Sequence, residues 1–131
     1  MTTTQTDIGK ALLQGYVDSI NSNDLEGLLA LFAEDVQWED PYGSEPVYGR
    51  AALREVYAPA LDTLQLRLDT PIRGSHGDRA AMAFTFEGRL GGKRVRARAI
   101  DVITVNNEGL IAHFQAYWAP DDLEWLDDED H

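Results

Sequence analysis

The chain has 131 residues, 44% of them hydrophobic and 26% charged, with no cysteine and a formal net charge of -12. That length and balance fit one soluble globular domain with an apolar core of its own, and they exclude a disulfide framework or a thiolate metal site. The negative charge repels a phosphate backbone, so nucleic acid is not an expected partner. No apolar run approaches bilayer length, so membrane insertion is not expected either.

The opening MTTTQTDIGK has no basic region followed by an apolar run. A secretory leader is therefore not expected, and the cytoplasm is the expected compartment. Residues 7–21 predict a helix, with Ile8, Leu12, Tyr16 and Ile20 recurring every fourth residue as one apolar stripe. Asn23 followed by Glu26 has the spacing of a capping box and predicts a second helix over DLEGLLALF, with Leu25, Leu28, Leu29 and Phe32 inward. A third helix is expected after Gly49, where Leu53, Val56, Tyr57 and Ala60 share a face, and Pro59 closes or kinks it.

From residue 64 the period changes to two. Leu64, Leu66 and Leu68 share one strand face, as do Ala80, Met82, Phe84 and Phe86 after the turn GSHGD. Gly91-Gly92 predicts a hairpin into the long strand of residues 93–105, and Asn106, Asn107 and Gly109 mark a turn before IAHFQAYW. Three helices followed by long strands imply an α+β domain over residues 1–131: a curved antiparallel or mixed sheet with helices on one face. Residues 1–6 and the acidic end from residue 123 are expected to be flexible flanks, the latter because DDLEWLDDEDH carries much of the negative charge.

Three polar side chains fall in apolar phase. In residues 93–105, Val95, Ala97, Ala99, Asp101, Ile103 and Val105 share a face, while Arg94, Arg96 and Arg98 take the other with Ile100 and Val102 beyond. Asp101 thus points to the apolar side, where lost hydration favours the neutral acid, a hydrogen-bond donor. The alternative is a structural aspartate bonded to backbone or to a cation. In VQWEDP, Asp40 shares its face with Val36 and Trp38, which leaves Glu39 towards solvent. Pro41 and Gly43 end the element there, so Asp40 is either an acid at a pocket mouth or an Asx-turn residue. Tyr16 lies mid-stripe on the first helix and its hydroxyl needs a partner, as does that of Tyr57 on the third. A neutral acid and a phenol can hold an oxyanion, and one carboxylate can move a proton. Together they suit proton abstraction next to a carbonyl.

The segments GYVDSINSNDLEGLLALFAED, EDPYGSEPVYGRAALREVYAPAL, AIDVITVNNEG and QAYW resemble the bacterial Δ5-3-ketosteroid isomerase family from about Tyr16 to Trp118. The resemblance implies a nuclear transport factor 2-like cone of curved sheet and three helices, and a homodimer formed through the sheet. It implies Asp40 as the base, Tyr16 as one oxyanion donor and Asp101 as a second, a carboxylic acid kept neutral by its apolar site. It implies a hydrophobic, steroid-like ligand and no metal or organic cofactor, since the substrate carbonyl is the electron sink. Met82, Phe84, Phe114 and Trp118 are the expected pocket wall, with core packing the alternative for each. Some relatives carry a further tyrosine in the second helix. Phe32 stands there, which leaves Tyr57 alone to support Tyr16. His76 and His113 have no orienting partner in the pattern and are expected to be surface residues. A polyketide cyclase-like enzyme, or a non-catalytic binding or dimerisation module, is the alternative on the same fold.

Overall fold

The stripe through Leu12, Tyr16 and Ile20 folds as a helix. In the computed structural model, which describes residues 5–126, α1 runs Gln5–Asn21 and buries Leu12, Leu13, Tyr16, Val17 and Ile20. The capping box is not formed. Asn23 takes a left-handed φ of 56° and closes α1, with the Asp24 amide bonded to the Ser19 carbonyl. Asparagine tolerates that conformation, so it serves the end of one helix and leaves the start of the next to its neighbour. Asp24 caps α2 (Leu25–Leu29) by accepting from the Gly27 amide, a bond typically worth about 1 kcal/mol.

The second helix is shorter than its apolar spacing predicts. Phe32 is buried as expected, yet it begins β1 (Phe32–Glu39), where it sits opposite Ile111 of a distant strand. Strand pairing overrides the local helical period. β2 (Val47–Tyr48) pairs antiparallel with β1, and α3 (Arg50–Tyr57) follows Gly49, burying Leu53 and Tyr57. After a 3-10 turn at Leu61–Thr63 come β3 (Gln65–Leu68), β4 (Arg73–Gly74), β5 (Arg79–Leu90), β6 (Lys93–Val105), β7 (Ile111–Tyr117) and β8 (Leu123–Trp125).

These strands form one mixed sheet in the order β2-β1-β7-β6-β5-β3, with β4 on β5 and β8 on β6. The hairpin from β5 to β6 turns at Gly91-Gly92, both at positive φ as a two-residue turn requires, and pairs Leu90 with Lys93. β1 runs parallel to β7; the other pairings are antiparallel. Register irregularities in β1 between Phe32 and Gln37, and between β6 and β7 at Thr104 and Val105, interrupt the ladders in the manner that curves a sheet. α1 lies on the inner face across β3, β4, β5 and β6, close enough that a Cβ at Gly9 would stand 2.9 Å from that of Ala80. The result is the expected α+β architecture, with the core between α1, α2, α3 and the concave side.

One flank departs from expectation. Residues 123–125 are not a flexible end: Leu123, Glu124 and Trp125 pair with Ala97, Arg96 and Val95, and Arg96 bridges Glu87 and Glu124. The alternation Leu-Glu-Trp was the available signal, masked by the surrounding charge. The expectations for residues 1–4 and 127–131 lie outside the described residues. Among the described residues no helix is long and apolar enough to cross a membrane.

Candidate active site

A small cavity of about 80 Å³ opens between α1 and the concave sheet. Twelve residues line it, and its polar groups are few: Tyr16 from α1, Asp40 just beyond β1, Tyr57 from α3, Asp101 from β6 and Trp118 just beyond β7. The three residues in apolar phase thus share one cavity.

Asp101 arrives there by strict alternation. Every second residue of β6 from Val95 to Val105 is buried, and Asp101 is 1% exposed. Ala99 and Ala116, the residue that pairs with Asp101 across the ladder, are small, so the wall beside the carboxyl recedes into cavity. Neither Asp101 oxygen has a hydrogen-bond partner. Desolvation first, and the Asp40 charge second, push this carboxyl well above the ordinary aspartate range, so the neutral acid is favoured. A buried polar group left unpaired costs about 1–3 kcal/mol, and the arginines of the opposite sheet face do not relieve it.

Asp40 follows the last residue of β1 and precedes a cis peptide bond to Pro41. The chain beyond is tied to β7 by the Tyr42 amide, which donates to the Ala116 carbonyl. Asp40 Oδ1 accepts from Trp118 Nε1 at 2.6 Å. Burial raises the Asp40 carboxyl above its ordinary value and the Trp118 bond acts the other way. Tyr16 Oη lies 2.9 Å from Tyr57 Oη, and Trp38 Nε1 donates to Tyr57 Oη at 3.1 Å. Burial holds both phenols protonated, each raised above the ordinary tyrosine value.

Of the expected wall, Phe84 and Trp118 line the cavity, whereas Met82 and Phe114 do not. Both are fully buried away from the cavity, Phe114 stacked on Trp38 and tilted on Tyr16. Phase along a strand reveals which face a side chain takes, not its depth in the cone. The wall is completed by Ile20, Leu64, Leu66, Phe86, Ala99 and Ala116. Leu66 is held in place by Asn21, whose side-chain amide both donates to the Leu66 carbonyl (2.8 Å) and accepts from its amide (2.7 Å). Leu64, Leu66 and Phe86 stood in inward phase in the sequence; Trp38 is the supporting residue that the sequence reading missed.

Glu39 takes the opposite side from Asp40, as its phase requires, but it does not face solvent. It is 7% exposed and bonded to His113 Nε2, so neither residue is the plain surface group expected. The parallel ladder of β1 and β7 brings them together on the far face of the sheet. Among the described residues no group of three or more His, Asp or Glu side chains could hold a metal ion.

Comparison with known proteins agrees with this fold. Residues 13–114 match the SnoaL-like domain family. The chain is 32% identical over 114 residues to the steroid delta-isomerase of Nocardioides simplex, covering 87% of this chain and 92% of that one. It is 34% identical over 123 residues to epoxide hydrolase LasB of Streptomyces lasalocidi, covering 90% of this chain but spanning 44% of that relative's length. Among solved structures, RV0760c from Mycobacterium tuberculosis superposes with a TM-score of 0.81 at 25% identity, over 95% of this chain and 99% of that one. Its complex with estradiol-17beta-hemisuccinate gives 0.81 at 23% identity, over 89% and 98%. A computationally designed 17-OHP binder gives 0.84 at 22%, over 95% and 100%.

Proposed function

Because the chain belongs to the SnoaL-like domain family, and carries a neutral acid, a phenol and a carboxylate on one apolar cavity, we propose that it is a ketosteroid isomerase. The substrate is a 3-oxo-Δ5-steroid. The Asp40 carboxylate takes a proton from C4, the C–H electrons form the C3–C4 double bond, and the carbonyl oxygen becomes the dienolate oxyanion. Tyr16 and Asp101 donate hydrogen bonds to that oxygen. Asp40 returns the proton at C6, which yields the conjugated 3-oxo-Δ4-steroid with no net gain or loss of atoms.

The observation that carries this reading is Asp101: a fully buried carboxyl on the cavity wall with both oxygens unpartnered. A substrate oxygen that gains negative charge is the group that repays such an arrangement, because the bond strengthens as the charge develops. Similarity to a steroid delta-isomerase along 92% of that protein supports the substrate class. The same reading includes an isologous homodimer through the outer sheet face, where Ile100 is 48% and Tyr117 44% exposed, working in the cytoplasm.

The relative named as an epoxide hydrolase favours a second reading. A neutral Asp101 can protonate an epoxide oxygen while Asp40 activates water for attack on carbon. One experiment separates the two: purified protein is given 5-androstene-3,17-dione, with conjugated-enone absorbance followed, and in parallel a steroid epoxide, with diol measured by mass. Enone formation blocked by Asp40→Asn is expected. Diol formation without enone would overturn the isomerase reading.

A further inference from the structure

Trp38 shares the phase of Val36 and Asp40 and carries no charge, so by sequence it is one more core residue. Its ring is buried, stacks on Phe114 at 6.2 Å and 14°, and meets the Tyr57 ring edge-on at 5.8 Å. Its one side-chain polar atom, Nε1, is bonded to Tyr57 Oη at 3.1 Å. An indole N–H can donate but cannot accept, so this bond has a single direction. A phenol oxygen that accepts on one side becomes a stronger donor on the other, because hydrogen bonds in a chain polarise one another. The neighbour of Tyr57 is Tyr16 Oη, 2.9 Å away and on the cavity wall.

We infer that Trp38 is a positioning residue for the oxyanion site: its N–H sets the direction of a hydrogen-bond chain running from Trp38 through Tyr57 to Tyr16, and so frees the Tyr16 proton for a ligand oxygen in the cavity. The consequence for turnover rests on the isomerase reading; the direction of the chain does not. With the indole N–H removed, Tyr57 Oη is equally free to accept from Tyr16, and the Tyr16 proton then points away from the cavity. Phe32, the ring that meets Tyr16 edge-on at 6.4 Å, has no polar atom with which to set the direction. Trp38 reaches its place because β1 pairs it with Phe114 of β7 on one side and Val47 of β2 on the other, while α3 presents Tyr57 above it.

Trp38→Phe keeps an aromatic ring and deletes the donor. The expected result is a fall in kcat of roughly five- to twentyfold with KM near wild type, short of the about 10²–10³ for loss of a direct oxyanion donor. A packing defect could produce a similar fall, so the deciding measurement is a double-mutant cycle. Tyr57→Phe cuts the chain beyond Trp38, and adding Trp38→Phe in that background is expected to lower kcat no further. An equal fall in both backgrounds, or no fall where Tyr57 is intact, overturns the inference.

A second readout needs no turnover. 4-Nitrophenol bound in the cavity offers its oxygen to Tyr16, and its visible absorbance reports how much is phenolate. The bound phenolate fraction at fixed pH is expected to fall in Trp38→Phe, and not to fall again between Tyr57→Phe and the double variant. A fraction indifferent to Trp38, or a wild-type protein that does not bind the phenol in ionised form, also overturns it. A Trp38-dependent phenolate signal in a protein that leaves 5-androstene-3,17-dione unconverted would sink the isomerase reading and leave the donor chain standing.

Discussion

Trp118 Nε1 donates to Asp40 Oδ1 at 2.6 Å, joining two residues 78 apart in sequence at the same end of a parallel strand pair. The bond acts against the burial that raises the Asp40 carboxyl. Deleting the donor with Trp118→Phe leaves desolvation unopposed, so the carboxyl rises further. A base works only when ionised, so the acid limb of kcat/KM is expected to move to higher pH, with greater loss of rate in acid than at the plateau. A pH profile of enone formation checks this; an unmoved acid limb would detach Trp118 from the base.

Asp40→Asn preserves size and an acceptor for the Trp118 bond but removes the proposed base. Its kcat is expected to fall by at least about 10²–10⁴, the usual contribution of a general base. Binding of a product-like steroid, followed by fluorescence of the tryptophan at the cavity, is expected to survive. Wild-type turnover in this variant would remove Asp40 from the mechanism.

The two proposed oxyanion donors separate by chemistry. Asp101→Asn keeps an N–H donor and is expected to lower kcat less than Asp101→Leu, which keeps none. Tyr16→Phe is expected to exceed Asp101→Asn, because no hydroxyl replaces it and Phe32 is apolar. Loss of a single donor typically costs about 10²–10³ in kcat. Stably folded Asp101→Leu protein with undiminished kcat would leave Asp101 a core residue.

Asp101 also predicts how stability responds to pH. In the unfolded chain its carboxyl titrates near the ordinary aspartate value of 3.8, whereas burial raises it well above that in the fold. Between those two values the folded protein holds one more proton than the unfolded chain, so this residue's contribution to stability falls as pH rises through the window. Asp101→Asn carries no such proton. Its thermal midpoint is expected to gain on the wild type as pH increases from about 4 towards neutrality. A difference that stays constant with pH would show that the carboxyl does not titrate across that window.

For the proposed dimer, sedimentation at micromolar concentration is expected to give twice the monomer mass, and Ile100→Glu on the outer face to give monomer. A wild-type monomer would end the proposal of assembly without touching the cavity.

How much of this was legible depends on the kind of signal. Asp101 was placed by its phase in β6, where every second residue across the eleven from Val95 to Val105 is buried, a pattern too long to satisfy in the wrong register. Asp40 needed only its phase with Val36 and Trp38. Phe32 was misplaced because one apolar residue at helical spacing cannot compete with a strand partner at Ile111. Met82 and Phe114 were assigned to the wall because alternation carries no information about depth. The Glu39–His113 bond and the Trp38–Tyr57 bond were invisible for another reason: each joins elements whose meeting is decided by the parallel ladder or by the docking of α3, not by any local pattern.

That parallel ladder also sets an order in time. The stretch through β1, which ends at Asp40, leaves the ribosome long before β7 and Trp118 are made. Pairing across so wide a separation in the chain is slow to nucleate compared with the helices or the β5–β6 hairpin. A nascent chain therefore carries the Asp40 carboxylate while the indole that binds it is still unsynthesised. The bond between them forms only once both residues are made, so a product truncated before residue 118 is expected to lack the donor to Asp40.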